Sequence, residues 1–280
     1  MIPAAFDYVR PASLDEALRA LARNGGAKAL AGGHSLLPLM KLRLARPERL
    51  VDVGRLAELR GIRPLPGGGA AVGAATTYDQ LAGETTVVAH GAVADALPLI
   101  GDVQVRNRGT IGGALAHADP AGDFPAVALA LGVELVVRSV RGERTVAIDD
   151  WFRGPFSTAL GNDELLIEIR FPSPQGLASA YVKLPQPASG YAIAGVAVAL
   201  GGGGGTPTSC RVALTGVGEV AYRARAVEEA VLAGADPATA AQHAVDGVAV
   251  TADIHADAAY RSAVARVLTR RALEAALARR

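Results

Sequence analysis

Two short glycine-centred segments carry residue types suited to binding an anion. Ala31-Gly32-Gly33-His34-Ser35-Leu36-Leu37-Pro38 follows a β-rich run and leads into a helical pattern over residues 36–44. Adjacent glycines let a ligand approach the backbone closely and let several N–H groups point the same way. The Ser35 hydroxyl falls at the expected helix start, where N–H groups lack partners and the dipole favours negative charge. A pyrophosphate fits that chemistry, and a plain Gly-Gly turn fits the same pattern. The second segment, Gln104-Val105-Arg106-Asn107-Arg108-Gly109-Thr110-Ile111-Gly112-Gly113-Ala114, again combines a hydroxyl with paired glycines. Asp119-Pro120-Ala121-Gly122-Asp123 then opens a helix, with Asp123 placed either to cap it or to accept hydrogen bonds from nucleotide hydroxyls. Neither segment has the Gly-Lys-Ser/Thr of a Walker loop or the Gly-x-Gly-x-x-Gly of a Rossmann turn. A single ligand with a central diphosphate, such as a dinucleotide, could draw on the backbone amides of both.

Short elements must hold these segments. Ser13-Leu14-Asp15-Glu16 has the form of a capping box, and Leu14, Leu18 and Leu21 follow at helical spacing. Asn24-Gly25-Gly26 predicts the end of that helix. Residues 28–31 and 50–53 read as strands, and 62–65 with 70–73 as a hairpin around Pro66-Gly67-Gly68-Gly69. Thr77 and Thr86 are placed to cap two further helices. Residues 134–138 and 144–148 read as paired strands, and so do 165–171 and 180–184. Residues 193–200 predict an apolar strand, and the glycine run 201–205 a loop before another strand at 210–215. Alanine-rich patterns over 223–232, 237–245 and 257–277 predict helices. The class is α+β, with Pro172-Ser173-Pro174-Gln175-Gly176 as the expected linker between 1–174 and 175–280.

Composition narrows the function. Half of the 280 residues are apolar, enough for well-formed cores. With 28 Lys and Arg against 27 Asp and Glu, the formal charge is +1, so nothing calls for nucleic acid or an anionic membrane. Cys210 is the single cysteine; an iron–sulfur cluster takes about four, and a lone thiol fits a reducing compartment. The N-terminus lacks the pattern of a secretory signal, and the most apolar stretch, 124–137, falls short of the roughly 20 residues a bilayer requires. The expectation is a cytoplasmic chain with no transmembrane segment. The five histidines show no metal-ligand spacing, and no nucleophile–base pattern marks a catalytic residue.

Together, Ala31-Gly32-Gly33-His34-Ser35 and Thr110-Ile111-Gly112-Gly113 resemble the two FAD signatures of the medium subunit of molybdenum hydroxylases. The likeness is to the carbon monoxide dehydrogenase type first, with aldehyde and xanthine dehydrogenases as wider relatives. Ile2-Pro3-Ala4-Ala5-Phe6-Asp7-Tyr8 resembles that family's N-terminus, as does Leu42-Arg43-Leu44 followed by Pro47-Glu48-Arg49-Leu50-Val51-Asp52. Tyr260-Arg261, Val267-Leu268 and Arg270-Arg271-Ala272 resemble its C-terminal helix.

The resemblance implies a p-cresol methylhydroxylase-type FAD-binding fold over 1–174, in subdomains of about 1–56 and 57–174. A smaller α+β domain, a three-stranded sheet with helices, would follow over 175–280. It implies FAD, with Gly32, Gly33, His34, Ser35 and Leu36 wrapping the pyrophosphate and Ala31 and Ile100 beside it. Thr110, Ile111, Gly112, Gly113 and Ala114 would form a second wall, and Asp123 would bind cofactor hydroxyls. Leu166 matches a position near the cofactor and also fits plain core packing in a strand. Lys183 would be a cation stabilising reduced flavin, or else a solvated lysine. Tyr191 would lie beside the flavin ring and shield one face. Upstream of it, where the family commonly has a basic residue and an aspartate, this chain reads Leu184-Pro185-Gln186-Pro187-Ala188-Ser189-Gly190.

The implied role is an electron relay. A small partner subunit would supply electrons from 2Fe–2S clusters and a large one would hold the molybdopterin, in a dimer of heterotrimers. The flavin would pass electrons to an external acceptor. A free-standing flavin oxidase or reductase, and a non-catalytic docking subunit, are the alternatives at this point.

Overall fold

The computed structural model describes residues 2–23 and 25–280. Asn24, expected at the end of the first helix, lies outside the described residues, as does Met1. The described residues form three sheets and one two-stranded hairpin, mixed with helices in an α+β arrangement.

The first sheet places Asp7–Val9, Arg49–Asp52 and Ala27–Leu30 side by side in that order, all parallel. Parallel neighbours need a crossover: between Ala27–Leu30 and Arg49–Asp52 it contains the helix Leu36–Lys41, while the two outer strands, Asp7–Val9 and Ala27–Leu30, are linked by the helix Leu14–Ala22. Ser13 caps this helix by accepting from the Glu16 N–H at 3.2 Å, while the Glu16 carboxylate accepts from the Ala12 N–H at 2.8 Å. Its apolar stripe of Leu14, Ala17, Leu18 and Leu21 is buried against Val51, Val53 and Leu59. At the carboxyl end of Ala27–Leu30 the chain leaves the sheet through residues 31–35 and enters the helix Leu36–Lys41. That helix stops short of the expected residue 44, because Arg43 takes a left-handed φ of 60°.

The second sheet is antiparallel, in the order Ile62–Pro64, Ala70–Gly73, Leu165–Phe171, Glu134–Ser139, Gly142–Ala147. The third is also antiparallel and runs Leu177–Pro185, Ala192–Gly201, Ser209–Thr215, with a two-residue fourth strand, Tyr222–Arg223, at its edge. Every residue of the helix Asp123–Leu131 is buried. Apolar on all sides, it is a core helix, packed in one cluster with residues of both sheets. The helices Arg225–Leu232 and Ala258–Leu277 share a second core with the third sheet. The buried Arg261 guanidinium pins the longer helix by donating to the carbonyl oxygens of Ile193 and Gly216 at 2.5 and 2.6 Å.

Three local expectations change. Leu165–Phe171 does not pair with the strand that follows it; the two belong to different sheets. Pro172 and Pro174 lie between them, and proline cannot donate to a ladder. Thr77 caps its helix with a complete capping box, whereas Thr86 lies within the helix Thr85–Val88, whose cap position is Glu84. The pattern over 237–245 contracts to Pro237–Ala240 and a 3-10 turn.

Candidate functional site

A cleft of about 740 Å³ opens where residues 30–36, 109–114, 157–166 and 189–191 meet. The two glycine segments touch at its edge. A Cβ added at Gly32 would collide with the Arg108 carbonyl oxygen and come within 3.0 Å of the Gly109 Cα, so only a hydrogen fits between them. Gly33 adopts a φ of +79°, which glycine tolerates without strain. The N–H groups of Gly32, Gly33, His34, Ser35 and Leu36 find no acceptor among the described residues. The Ser35 hydroxyl makes no capping bond. Five consecutive free donors beside a cleft are what a diphosphate requires.

The second segment departs from the expectation that its amides serve the same anion. Thr110 is the N-cap of the helix Ile111–His117, and its Oγ1 accepts from the Gly113 N–H at 3.1 Å. Ile111, Gly112 and Ala114 donate to the carbonyl oxygens of Thr76, Ala74 and Thr110 at 3.1, 2.9 and 3.1 Å. The glycines therefore lie in a first helical turn and serve close packing: a Cβ at Gly112 would sit 2.6 Å from the Ala74 carbonyl oxygen. This segment supplies a smooth wall rather than free donors. The sequence carried the clue, since Thr three residues before a backbone donor is N-cap spacing.

Ala31, Gly32, Gly33, His34, Ser35, Leu36, Ile100, Thr110, Gly112, Gly113, Ala114, Asp123, Leu166 and Tyr191 all border the cleft. Ile111 and Lys183 do not. Ile111 is fully buried in the core. The Lys183 side chain is 1% exposed, so it is not the solvated lysine that the sequence also allowed. Its ammonium donates to the Leu99 and Gly190 carbonyl oxygens, each at 2.7 Å, and to Asp123 Oδ2 at 2.9 Å. Lys183 thus stands behind the wall and ties together three segments that form it.

Asp123 is the cleft-side end of that buried cluster. The Tyr181 hydroxyl donates to its Oδ1 at 2.5 Å. Burial pushes the Asp123 carboxyl above the ordinary range, against the opposing pull of Lys183 and Tyr181. Burial pushes the Tyr181 hydroxyl up as well, helped by the Asp123 charge. Two carboxylate oxygens offer about four acceptor positions, so Asp123 keeps capacity toward the cleft.

Tyr191 is 43% exposed, with its hydroxyl pushed up by burial and then by Asp119 and Asp123. The uncharged stretch before it closes on its own backbone. The Gln186 side-chain oxygen accepts from the Ser189 N–H at 2.7 Å, and the Gln186 N–H donates to the Tyr191 carbonyl at 2.8 Å. Gly190 turns the corner at a φ of +73° and presents its carbonyl to Lys183.

Three residues in or near the cleft were missed by sequence reasoning. Tyr78 borders the cleft, its ring 5.9 Å from that of Phe124. Phe156, at a left-handed φ of 54°, stands 5.0 Å from the His117 ring, and both border the cleft. Nothing around Tyr78 or Phe156 forms a motif. Tyr181 had a signal: it lies two residues from Lys183 in a strand, hence on the same face.

Among the described residues no helix is long and apolar enough to cross a membrane, and no group of three or more His, Cys, Asp or Glu is arranged to hold a metal ion.

Known proteins share this architecture. Residues 4–174 match the FAD binding domain in molybdopterin dehydrogenase, and residues 179–276 the carbon monoxide dehydrogenase flavoprotein C-terminal domain. The carbon monoxide dehydrogenase medium chain of Hydrogenophaga pseudoflava is 42% identical over 286 residues, spanning 100% of this chain and 99% of that one. The glyceraldehyde dehydrogenase medium chain of Sulfolobus acidocaldarius is 38% identical over 239 residues, 83% of each. A solved structure of carbon monoxide dehydrogenase from Hydrogenophaga pseudoflava aligns with a TM-score of 0.95 at 43% identity, covering 100% of this chain and 99% of its own. On sequence and fold alike, the chain belongs to the family of FAD-binding subunits of molybdopterin dehydrogenases.

Proposed function

We propose that this chain is the FAD-carrying electron-transfer subunit of a molybdenum hydroxylase complex. One observation carries the reading: five consecutive free amides, Gly32 to Leu36, run beside a cleft of about 740 Å³, a size within the range of small-molecule and cofactor sites. The fit is chemical as well as spatial, because the contact closing the loop at Gly32 leaves room for a hydrogen and nothing larger.

When bound, FAD supplies reversible electron acceptance and release; the protein supplies position and electrostatics. The amides of residues 32–36 hold the diphosphate, with Ala31 and Ile100 beside it. Thr110, Gly112, Gly113 and Ala114 form the opposing wall. Asp123, braced by Lys183 and Tyr181, accepts from cofactor hydroxyls. Leu166 lines the cleft and Tyr191 covers one face of the ring. Residues 1–174 form the FAD-binding domain and 175–280 the C-terminal domain. None of these residues is a catalytic acid or base.

The relatives' names as medium chains support a multi-subunit assembly. With one cysteine in the chain, the 2Fe–2S clusters reside on a small partner and the molybdopterin on a large one, as a dimer of heterotrimers. The buried, unpaired thiol fits a cytoplasmic, reducing setting. Native mass spectrometry of the complex purified from its source tests this. The expected result is this chain with one FAD, together with an iron-containing and a molybdenum-containing chain. A flavin-free homo-oligomer would refute it.

A further inference from the structure

We propose that His117 takes up a proton when electrons reach the flavin and releases it when they leave, with Asp119 linking it to a second pocket. The proposal rests on the reading of this chain as the flavin subunit. Electrons handed on by iron–sulfur clusters arrive without protons, so their negative charge has to be balanced inside the cleft. Lys183 does not follow that change, because it is buried and already paired with Asp123. Two histidines border the cleft, His34 and His117. His34 is exposed, with its Nδ1 3.0 Å from the Gly32 carbonyl oxygen, at the diphosphate end. The His117 side chain is 22% exposed, and the Phe156 ring stands 5.0 Å from its own. The Phe156 N–H donates to the Ala118 carbonyl at 3.2 Å, which holds that cover in place.

The surroundings of this ring suit it to a reversible proton. His117 is the last residue of the helix Ile111–His117, where carbonyl groups without partners favour a cation. Ala118 takes a left-handed φ of 52°, and Asp119 Oδ2 lies 3.9 Å from His117 Nε2, a gap that one water spans. Burial pulls the imidazolium below the ordinary histidine range, and Asp119 pulls it back. The ring is therefore uncharged at neutral pH until negative charge arrives nearby and favours its cationic form. The elements packed on this helix bring no competitor. The strand Ser157–Thr158 has no titratable residue, and Glu168 and Arg170 of Leu165–Phe171 pair with each other at 2.8 Å. Asp123 is held by Lys183 and Tyr181, and Glu164 by Arg144. The Tyr78 and Tyr191 hydroxyls, pushed up by burial, keep their protons. Asp119 borders the cleft and also a pocket of about 330 Å³ lined by Thr251, Asp253, His255 and Arg261. The proton enters from solvent through that pocket, passes Asp119 Oδ2 to His117 Nε2, and returns the same way once the external acceptor has taken the electrons.

The test is made in the purified complex, with FAD counted and the midpoint potential of the bound flavin measured from about pH 5 to 8. Over part of that range the unaltered complex is expected to bind one more proton per electron pair than His117→Gln. Equal proton counts at every pH overturn the proposal. Asp119→Asn keeps the Oδ1 that accepts from the Ala121 N–H but removes the charge that pulls His117 up. It is expected to keep the extra proton and move its onset to lower pH. With a pH-indicator dye, it is also expected to take up that proton at least tenfold more slowly on photochemical reduction. An unmoved onset or an unslowed uptake overturns the proposal, and this variant decides the question should His117→Gln fail to hold FAD. Failure of the flavin reading would give a different result: the unaltered complex would carry no FAD to titrate.

Discussion

Replacing Lys183 by Met keeps the length of the side chain and removes its charge from a site where it is 1% exposed and its Asp123 partner 7% exposed. Breaking a buried pair from one side leaves the other charge uncompensated and costs about 3–5 kcal/mol. The Tyr181 hydroxyl still donates to Asp123, so the lower figure, about 3 kcal/mol, applies. For a chain of this size that lowers Tm by about 6–12 °C. The loss depends on pH in a defined direction. Burial already holds the Asp123 carboxyl above its ordinary range despite Lys183 and Tyr181, and without Lys183 it rises further. A carboxyl whose folded pKa is raised destabilises the fold as pH climbs through that value, because the unfolded chain ionises first. Lys183→Met should therefore lose less against wild type at pH 5 than at pH 8. Thermal denaturation at both pH values, with and without FAD, reads this out. A Tm within about 2 °C of wild type, or a deficit independent of pH, would refute the reasoning that Lys183 chiefly neutralises and fixes Asp123.

Gly32→Ala must push the Arg108 carbonyl aside; FAD affinity is expected to fall at least tenfold, about 1.4 kcal/mol, in a flavin fluorescence titration, with helix content by circular dichroism unchanged. Tyr191→Ala is expected to retain FAD, lose about 0.5–1.5 kcal/mol of affinity, and brighten the bound flavin's fluorescence as the ring loses its cover. Thr110→Ala removes the cap on the Gly113 N–H and should cost about 1 kcal/mol in chemical denaturation. Burial pushes the Cys210 thiol up to about 12, so iodoacetamide at pH 8 should leave the folded protein unlabelled and modify it only after denaturation.

Much of the fold was legible because local rules and tertiary demands agree. Ser13 and Glu16 announce the first helix and form its cap, and the apolar run after Asp123 is the buried core helix. Sheet membership was not legible. Leu165–Phe171 and Leu177–Pro185 are adjacent in sequence and each reads as a strand, yet their partners are set by long-range packing that no local pattern encodes. The same division runs through the site. The Gly32-Gly33 segment exposes its donors as its sequence suggests, since a Gly-Gly turn after a strand leaves little else for them to do. The Gly112-Gly113 segment has the same residue types but is folded into a helix, where Thr110 and Ala74 consume the amides. Lys183 could be placed near the site by resemblance, but its burial depends on Leu99 and Gly190, residues 84 and 7 positions away in the chain. Tyr78 and Phe156 arrive through tertiary packing alone.

If the free amides of residues 32–36 and the cleft beside them bind the diphosphate of FAD, affinity must depend on that diphosphate. Equilibrium titration of the flavin-stripped chain with FAD, FMN and riboflavin, followed by flavin fluorescence, addresses it most directly. Saturation is expected at one FAD per chain, with FMN far weaker and riboflavin weaker still. Equal affinity for FAD and riboflavin, or no uptake of FAD by the folded chain, would contradict it.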